Sequence, residues 1–192
     1  MRFSRKIYMA KIVAKRIRIE AMTVKTILCG LVLSAAAFAQ AANPLVDGSK
    51  SIYSGTKGNI LKSADKISDD LWSWRPTPDV RSFGELFAHI ADGQYEFCGP
   101  VAEGKIVDKG IEKTKKSKAE VVAALKEGFA YCDAAYGKIT AANAAEGLPF
   151  FNGKPMARIS IMDFNAAHNM EHYGNLVTYM RLNKIVPPSS AK

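Results

Sequence analysis

The chain of 192 residues is long enough for one domain with a hydrophobic core, and its 48% hydrophobic residues exclude an intrinsically disordered protein. Its formal net charge is +9. Residues 1–41 contain eight Lys and Arg and one Glu, a net charge of +7. The rest of the chain contains 19 basic and 17 acidic residues, a net charge of +2. A nearly neutral domain has no electrostatic reason to bind phosphate backbones, so the charge does not indicate a nucleic acid-binding protein.

Residues 1–41 have the pattern of a signal peptide. Lys25 precedes an apolar stretch at 27–38, and the sequence 37–41 offers two A-x-A cleavage sites, after Ala39 and after Ala41. The apolar stretch is too short to span a bilayer, which predicts a periplasmic or secreted protein without a stable membrane anchor after cleavage. The alternative is a retained N-terminal anchor helix. The natural start is either Met1, with an extended basic region, or Met22.

The remainder, residues 42–192, is expected to form a single domain of four helices. The first is predicted from about Leu45 to Leu71 by apolar residues that share one helical face. The second begins at a capping box formed by Ser82 and Glu85, and Gly99-Pro100 is expected to end it.

The second half of the domain supplies two more helices. A third helix begins at the capping box of Ser117 and Glu120 and is predicted to end near Ala141, and the fourth is predicted over 157–183. The connection 101–116 is lysine-rich, and we interpret it as a solvated loop in preference to a binding patch. Its length permits a crossover, so the expected fold is an all-α four-helix bundle in which helices two and three run parallel.

The three histidines of the chain all fall within apolar helical faces. His168 and His172 are four residues apart, so they share a helix face, and His89 lies midway along helix two. If helix two packs on helix four, three imidazoles can reach one divalent ion, with zinc or nickel favoured by imidazole ligands. The alternative is a set of core histidines that hydrogen bonds satisfy.

The sequence from His168 to His172 also matches the inverted zinc-protease motif H-x-x-E-H. That class takes a further ligand far downstream, and this chain has no acidic residue after Glu171. A protease is therefore not expected. Glu171 is expected to flank the histidine site, where it is either a surface or supporting carboxylate, which is the favoured interpretation, or a base.

The two cysteines after the leader, Cys98 and Cys132, are predicted to form a disulfide. Export would place them in an oxidising compartment, and parallel second and third helices would hold them at similar heights. The alternative is a pair of buried free thiols.

Two segments resemble a known family. The segment 75–92, RPTPDVRSFGELFAHIAD, resembles the second-helix signature of the DinB family, and the segment 168–182, HNMEHYGNLVTYMRL, resembles its fourth-helix signature. The resemblance implies an up-down-down-up bundle with a divalent metal bound by His89, His168 and His172. Similar proteins include bacillithiol- and mycothiol-dependent transferases, a mycothiol-dependent isomerase and metal-dependent hydrolases of unknown substrate.

Two functions follow from these observations. The first is a metal-dependent hydrolase or transferase that acts on a small molecule, because three histidines leave coordination positions open. The second is a non-catalytic metal-binding or small-molecule-binding module. The sequence assigns no catalytic residue, is compatible with a homodimer, and leaves Asp92 and Gln94 open either as groups that orient His89 or as surface residues.

Overall fold

The computed structural model describes residues 43–191, and the predicted leader lies outside them. Four long helices make up most of this region, together with one short helix and one short hairpin. The helices are α1 (Pro44–Lys66), α2 (Phe83–Glu103), α3 (Ile111–Thr114), α4 (Lys118–Gly137) and α5 (Arg158–Leu182), and the hairpin strands are β1 (Gly147–Pro149) and β2 (Pro155–Ala157). No helix within residues 43–191 has the length and hydropathy needed to cross a bilayer.

Contacts between α1 and α5 establish that these two helices run parallel. The hydroxyl of Ser49 donates to Asp163 at 2.6 Å, and that of Thr56 lies 3.0 Å from the sulfur of Met170, so both pairs are 114 residues apart. A constant offset between contacting residues is possible only for parallel helices.

Helices α2 and α4 are also parallel, since the Cα atoms of Cys98 and Cys132 lie 5.3 Å apart and Gly128 packs against Gln94. Helix α5 runs antiparallel to α2, because Phe83 contacts Tyr179 near one end of the pair and Phe97 contacts Phe164 further along. The expected up-down-down-up four-helix bundle, with a long crossover between α2 and α4, is therefore confirmed.

Both predicted capping boxes are present. The Ser82 hydroxyl accepts from the backbone N–H of Glu85 at 3.3 Å, and the Glu85 carboxylate accepts from the backbone N–H of Ser82 at 2.9 Å. Ser117 and Glu120 make the same reciprocal pair at the start of α4. These caps satisfy backbone donors that a helix start leaves unpaired.

The first helix ends at Lys66, earlier than the predicted Leu71. Ile67 is fully buried and takes an extended backbone conformation, with φ −82° and ψ 122°. Its carbonyl accepts a hydrogen bond from the Lys118 side chain at 2.6 Å. The chain leaves the helix because Ile67 turns into the core, and residues Asp69–Leu71 form a separate 3₁₀ turn.

The second helix continues through Gly99-Pro100, which was wrongly predicted to end it. The helix runs to Glu103 and stops at Gly104, whose left-handed conformation (φ 75°) lets its N–H bond the carbonyl of Pro100. Gly99 has a different function: a Cβ atom there would lie 2.5 Å from the carbonyl oxygen of Lys105. This glycine therefore permits the crossover to pass close to the helix.

Two further differences concern the second half of the chain. The third predicted helix corresponds to α4, which ends at Gly137, four residues before the predicted Ala141. Helix α5 agrees with its predicted bounds to within one residue. The segment expected to be a loop contains an antiparallel pair, with Leu148 opposite Met156. Strands of three residues are too short to show the alternation by which strands are recognised.

Candidate metal centre

The three histidines converge at the contact between α2 and α5. The Nε2 atom of His168 lies 3.2 Å from Nε2 of His89 and 3.0 Å from Nε2 of His172. One ligand atom from each ring lies within 4.8 Å of the other two. The structure thus brings together all three residues that the sequence proposed as ligands.

The register between α2 and α5 is set by a buried amide pair. The side chain of Gln94 donates to the side chain of Asn169 at 2.7 Å, and both residues are fully buried. Since Asn169 lies between His168 and His172 along α5, this bond holds the histidine pair level with the segment of α2 that carries His89. A buried amide pair of this kind tolerates no shift along the helix, because a shift would leave polar groups unpaired.

The spacing of the imidazole nitrogens suits one bound ion. Two nitrogens that each lie about 2.0–2.1 Å from a common ion, at angles between about 90° and 110°, are separated by about 2.8–3.4 Å. The two measured Nε2 separations, 3.0 Å and 3.2 Å, fall in this range. The residues therefore fit a divalent metal, and a three-histidine set leaves coordination positions open.

The electrostatic environment keeps the three rings neutral, as metal ligation requires. Burial, and then the neighbouring His172, lower the pKa of His168 to about 3. Burial and the neighbouring His89 lower the pKa of His172 to about 4. The pKa of His89 is also lowered, by burial and then by Arg81. At neutral pH all three side chains can offer a lone pair.

An apolar wall accounts for much of the burial of His168. The ring of Phe97 packs edge-on against that of His168, with ring centroids 4.8 Å apart. Phe150 and Phe151, at the turn of the hairpin, pack against Phe97 in turn. On its other side the His168 ring packs against Gly93. The Nδ1 atom of His168 is buried without a hydrogen-bond partner among the described residues.

Polar groups lie next to the outer nitrogens of the other two rings. The Glu112 carboxylate lies 3.3 Å from Nδ1 of His89. The side-chain amide of Asn175 lies 3.4 Å from Nδ1 of His172, and an asparagine can present either its oxygen or its nitrogen to a ring. Burial is the largest single influence on the pKa of Glu112 and would raise it, but the hydrogen bond and charge of Arg81, together with His89, outweigh burial and lower that pKa, so the carboxylate is ionised.

Asp92 and Gln94 both lie in the interior, but neither contacts His89 through a hydrogen bond. Gln94 belongs to the buried amide pair. The two oxygens of Asp92 accept from the backbone N–H groups of Ile111 and Glu112 at 2.7 Å and 2.8 Å. Glu112 itself was missed by the sequence analysis, because a four-residue helix inside a lysine-rich connection gives no periodic signal.

A cavity of about 610 Å³ opens beside the histidines, and His172 is part of its wall. Its lining is strongly charged, with two guanidinium groups and four carboxylates. These charged residues are Arg75, Asp79, Arg81, Glu85, Glu112 and Glu171. Glu171 thus flanks the site, as the sequence suggested. The cavity has the size and polar lining of a site for a small polar molecule.

Gly93→Ala should weaken metal binding by about tenfold or more. A Cβ atom at position 93 would lie 2.7 Å from Cε1 of His168 and 3.1 Å from its Nδ1, so the ring has to move. Overpacking of this kind costs about 1–3 kcal/mol. Gly174→Ala on α5 is the matched control, since no atom lies within 4 Å of its added Cβ. Chelator competition with Zn²⁺ measures both variants, and equal losses would contradict the steric argument.

The metal-free protein should lose stability as the pH falls below about 6.5. An unfolded histidine has a pKa of about 6.5, whereas those of His168 and His172 in the fold are about 3 and 4, so the unfolded state takes up protons first. The contribution is fully present above pH 6.5 and is lost as the pH falls toward these values. Urea unfolding with a chelator measures it from pH 7 to 4.5. His168→Gln should flatten the dependence, and an unchanged slope would refute the cause.

The two cysteines of the described region lie on α2 and α4, behind the histidine site. Cys98 and Cys132 are fully buried, and the structure brings their sulfur atoms to disulfide distance. The Cα separation of 5.3 Å is within the range that a disulfide spans. The geometry is thus compatible with the disulfide that the sequence predicted between Cys98 and Cys132.

Comparisons with solved structures show the same fold in other proteins. A DinB-like protein from Bacillus subtilis is 20% identical, with a TM-score of 0.58 over 74% of this chain and 92% of that chain. A DinB-like protein from Bacillus cereus is 19% identical, with a TM-score of 0.59 over 74% of this chain and 95% of that chain. A mycothiol-dependent maleylpyruvate isomerase is 9% identical, with a TM-score of 0.51 over 68% of this chain and 60% of that chain. At these identities the likeness concerns the fold alone.

Sequence comparison identifies the family. No curated protein matches the chain. A family model described as the DinB superfamily matches residues 53–176, which is more than half of the chain and includes all three histidines. The resemblance seen in the segments 75–92 and 168–182 is confirmed by this match, and the chain belongs to the DinB superfamily.

Proposed function

We propose that the protein is an exported metal-dependent enzyme, a hydrolase or transferase that acts on a small molecule. The observation that carries the proposal is the convergence of three imidazole Nε2 atoms, 3.0 Å and 3.2 Å apart, next to a cavity of about 610 Å³. Since His172 belongs to the cavity wall, a molecule in the cavity would lie beside the ligand set.

His89, His168 and His172 would hold one divalent ion, and zinc or nickel fits three imidazoles best. When bound, such an ion supplies a Lewis acid that polarises a carbonyl or similar bond. Neutral rings suit this role, because they leave the positive charge of the ion uncompensated.

The charged lining of the cavity would bind and orient the substrate. Arg75 and Arg81 are each paired with a carboxylate, but a guanidinium has five N–H donors and keeps some for a ligand. An anionic or strongly polar group of the substrate suits these donors. The Glu171 carboxylate, next to His172 in sequence and in the same cavity wall, is our candidate for the group that accepts a proton during the reaction.

One neighbour in the comparisons, the mycothiol-dependent maleylpyruvate isomerase, is an enzyme by its name, which supports a catalytic function for this fold. The proposed export argues against a thiol cofactor here, because low-molecular-weight thiols of the cytosol are scarce outside the membrane. Hydrolysis therefore has our preference over thiol transfer.

Metal analysis of protein purified without a histidine tag tests the proposal. We expect close to one equivalent of zinc or nickel, and activity on esters, amides or thiol adducts that His168→Ala abolishes. Protein that contains no metal and takes none up would contradict the proposal. Metal content without activity would favour the non-catalytic metal-binding module.

The proposed export predicts the residue at which the mature protein begins. The basic start, the apolar stretch 27–38 and the A-x-A sites predict cleavage after Ala39 or Ala41. Mass spectrometry of the protein recovered from the producing cell should find a chain that begins at residue 40 or 42 in the periplasmic or secreted fraction. A mature mass that still includes residues 22–39 would contradict the prediction.

A further inference from the structure

The crossover between α2 and α4 carries a carboxylate to the histidine site. Glu112, on the short helix α3, is about one-third exposed, and its Oε2 lies 3.3 Å from Nδ1 of His89. Arg81 binds the same carboxylate through two nitrogens, with Nε 2.8 Å from Oε1 and Nη2 3.3 Å from Oε2. The carboxylate is therefore fixed in position, not free to rotate.

An ionised carboxylate can only accept a hydrogen bond. At 3.3 Å the Glu112 carboxylate lies close enough to Nδ1 of His89 to favour the tautomer that carries its proton there, which leaves the lone pair on Nε2. Nε2 is the atom that faces His168, at 3.2 Å. The contact thus favours the tautomer and the ring orientation that a metal ligand needs.

The position of Glu112 depends on a second carboxylate. Asp92, almost fully buried and three residues after His89 on α2, accepts the backbone N–H groups of Ile111 and Glu112 at 2.7 Å and 2.8 Å. A helix of four residues is not stable by itself. Asp92 caps α3. Helix α2 therefore supplies the ligand His89 and also holds in place α3, which supplies Glu112.

We propose that Glu112 is a positioning residue for His89, and that Asp92 holds the crossover so that Glu112 reaches it. The inference rests on the proposed metal function. The sequence suggested that the lysine-rich crossover is a solvated loop. By this inference the crossover also supplies a residue that positions a metal ligand.

Zn²⁺ affinity, measured by chelator competition on the whole chain, tests the proposal. Glu112→Ala should weaken Zn²⁺ binding about 10- to 100-fold, the usual effect of removing a partner that orients a ligand. Glu112→Gln keeps an oxygen that can accept from Nδ1 and should recover part of the loss. Glu127→Ala, an exposed carboxylate on α4, removes the same charge elsewhere and is the matched control.

A second readout does not need metal. In the metal-free protein, imidazole ¹⁵N spectra should show His89 protonated on Nδ1, and Glu112→Ala should abolish that preference while leaving His168 and His172 unchanged. Asp92→Asn should shift the His89 signals in the same direction, since it loses one of the two caps.

The outcomes separate the two proposals. Wild-type protein that binds no Zn²⁺ contradicts the proposed function, whereas the spectra still report on Glu112. Zn²⁺ binding that is the same in wild type and Glu112→Ala overturns the inference and leaves the proposed function intact. A His89 ring protonated on Nε2 in the wild type also overturns the inference.

Discussion

His89→Ala should weaken Zn²⁺ binding by more than about 100-fold, although His89 lies 79 residues before the nearest other ligand in sequence. Removal of a residue that merely orients a ligand already costs about 10- to 100-fold, and a ligand itself is worth more. Two imidazoles on one helix would remain, and they cannot complete a set of three. His168→Ala and His172→Ala should lose as much.

Stability provides the measurement for the histidine variants. Zn²⁺ at about 100 times its dissociation constant should raise the free energy of unfolding of the wild type by about 2.7 kcal/mol, and the same concentration should leave His89→Ala almost unchanged. The metal-free forms should unfold at similar denaturant concentrations, because His89 is partly exposed and the hydrophobic core does not depend on it. A His89→Ala protein that keeps its metal would show that the site is a simple pair on α5.

Reduction of the bond between Cys98 and Cys132 should lower the free energy of unfolding by about 3–4 kcal/mol. The two residues are 34 positions apart, and closing a loop of this length restricts the unfolded chain by that amount in the chain-entropy model. The effect is large because typical domains have only about 5–15 kcal/mol of net stability.

Urea unfolding with and without a reducing agent measures this contribution. The double variant Cys98→Ala, Cys132→Ala is the control, because it should be insensitive to the reducing agent. Thiol titration of denatured, non-reduced protein from its native compartment checks the bond directly. Two free thiols in that titration would contradict the prediction.

Most of the helical framework could be predicted from sequence because it depends on local signals. Both capping boxes, at Ser82 and at Ser117, mark helix starts that the structure confirms. The errors concern helix ends that tertiary contacts decide. Ile67 leaves α1 because its side chain is buried in the core, and α2 continues through Pro100 to the left-handed Gly104. The burial of Ile67 has no local signal, and Gly99-Pro100 and Gly104 are both local stop signals between which only tertiary packing decides.

In the candidate site, too, some residues have local sequence signals and others are placed only by tertiary contacts. The histidines stood out because the chain has three and two of them are one helical turn apart. Glu112 could not be found in this way, since it reaches His89 through a four-residue helix that hydrogen bonds from Asp92 hold. The fit of Gly93 against His168 is equally invisible in sequence, because it depends on how closely α2 and α5 approach.

The placement of the two cross-links divides the bundle unequally. A bond between Cys98 and Cys132 closes one ring of chain, and the proposed metal, shared by His89 and His172, would close a second ring that encloses the first. Helix α1 lies outside both rings and is held by packing and side-chain hydrogen bonds such as that of Tyr53 with Asp133. It is therefore the one long helix of the four that could detach without breaking the disulfide or the proposed metal bond.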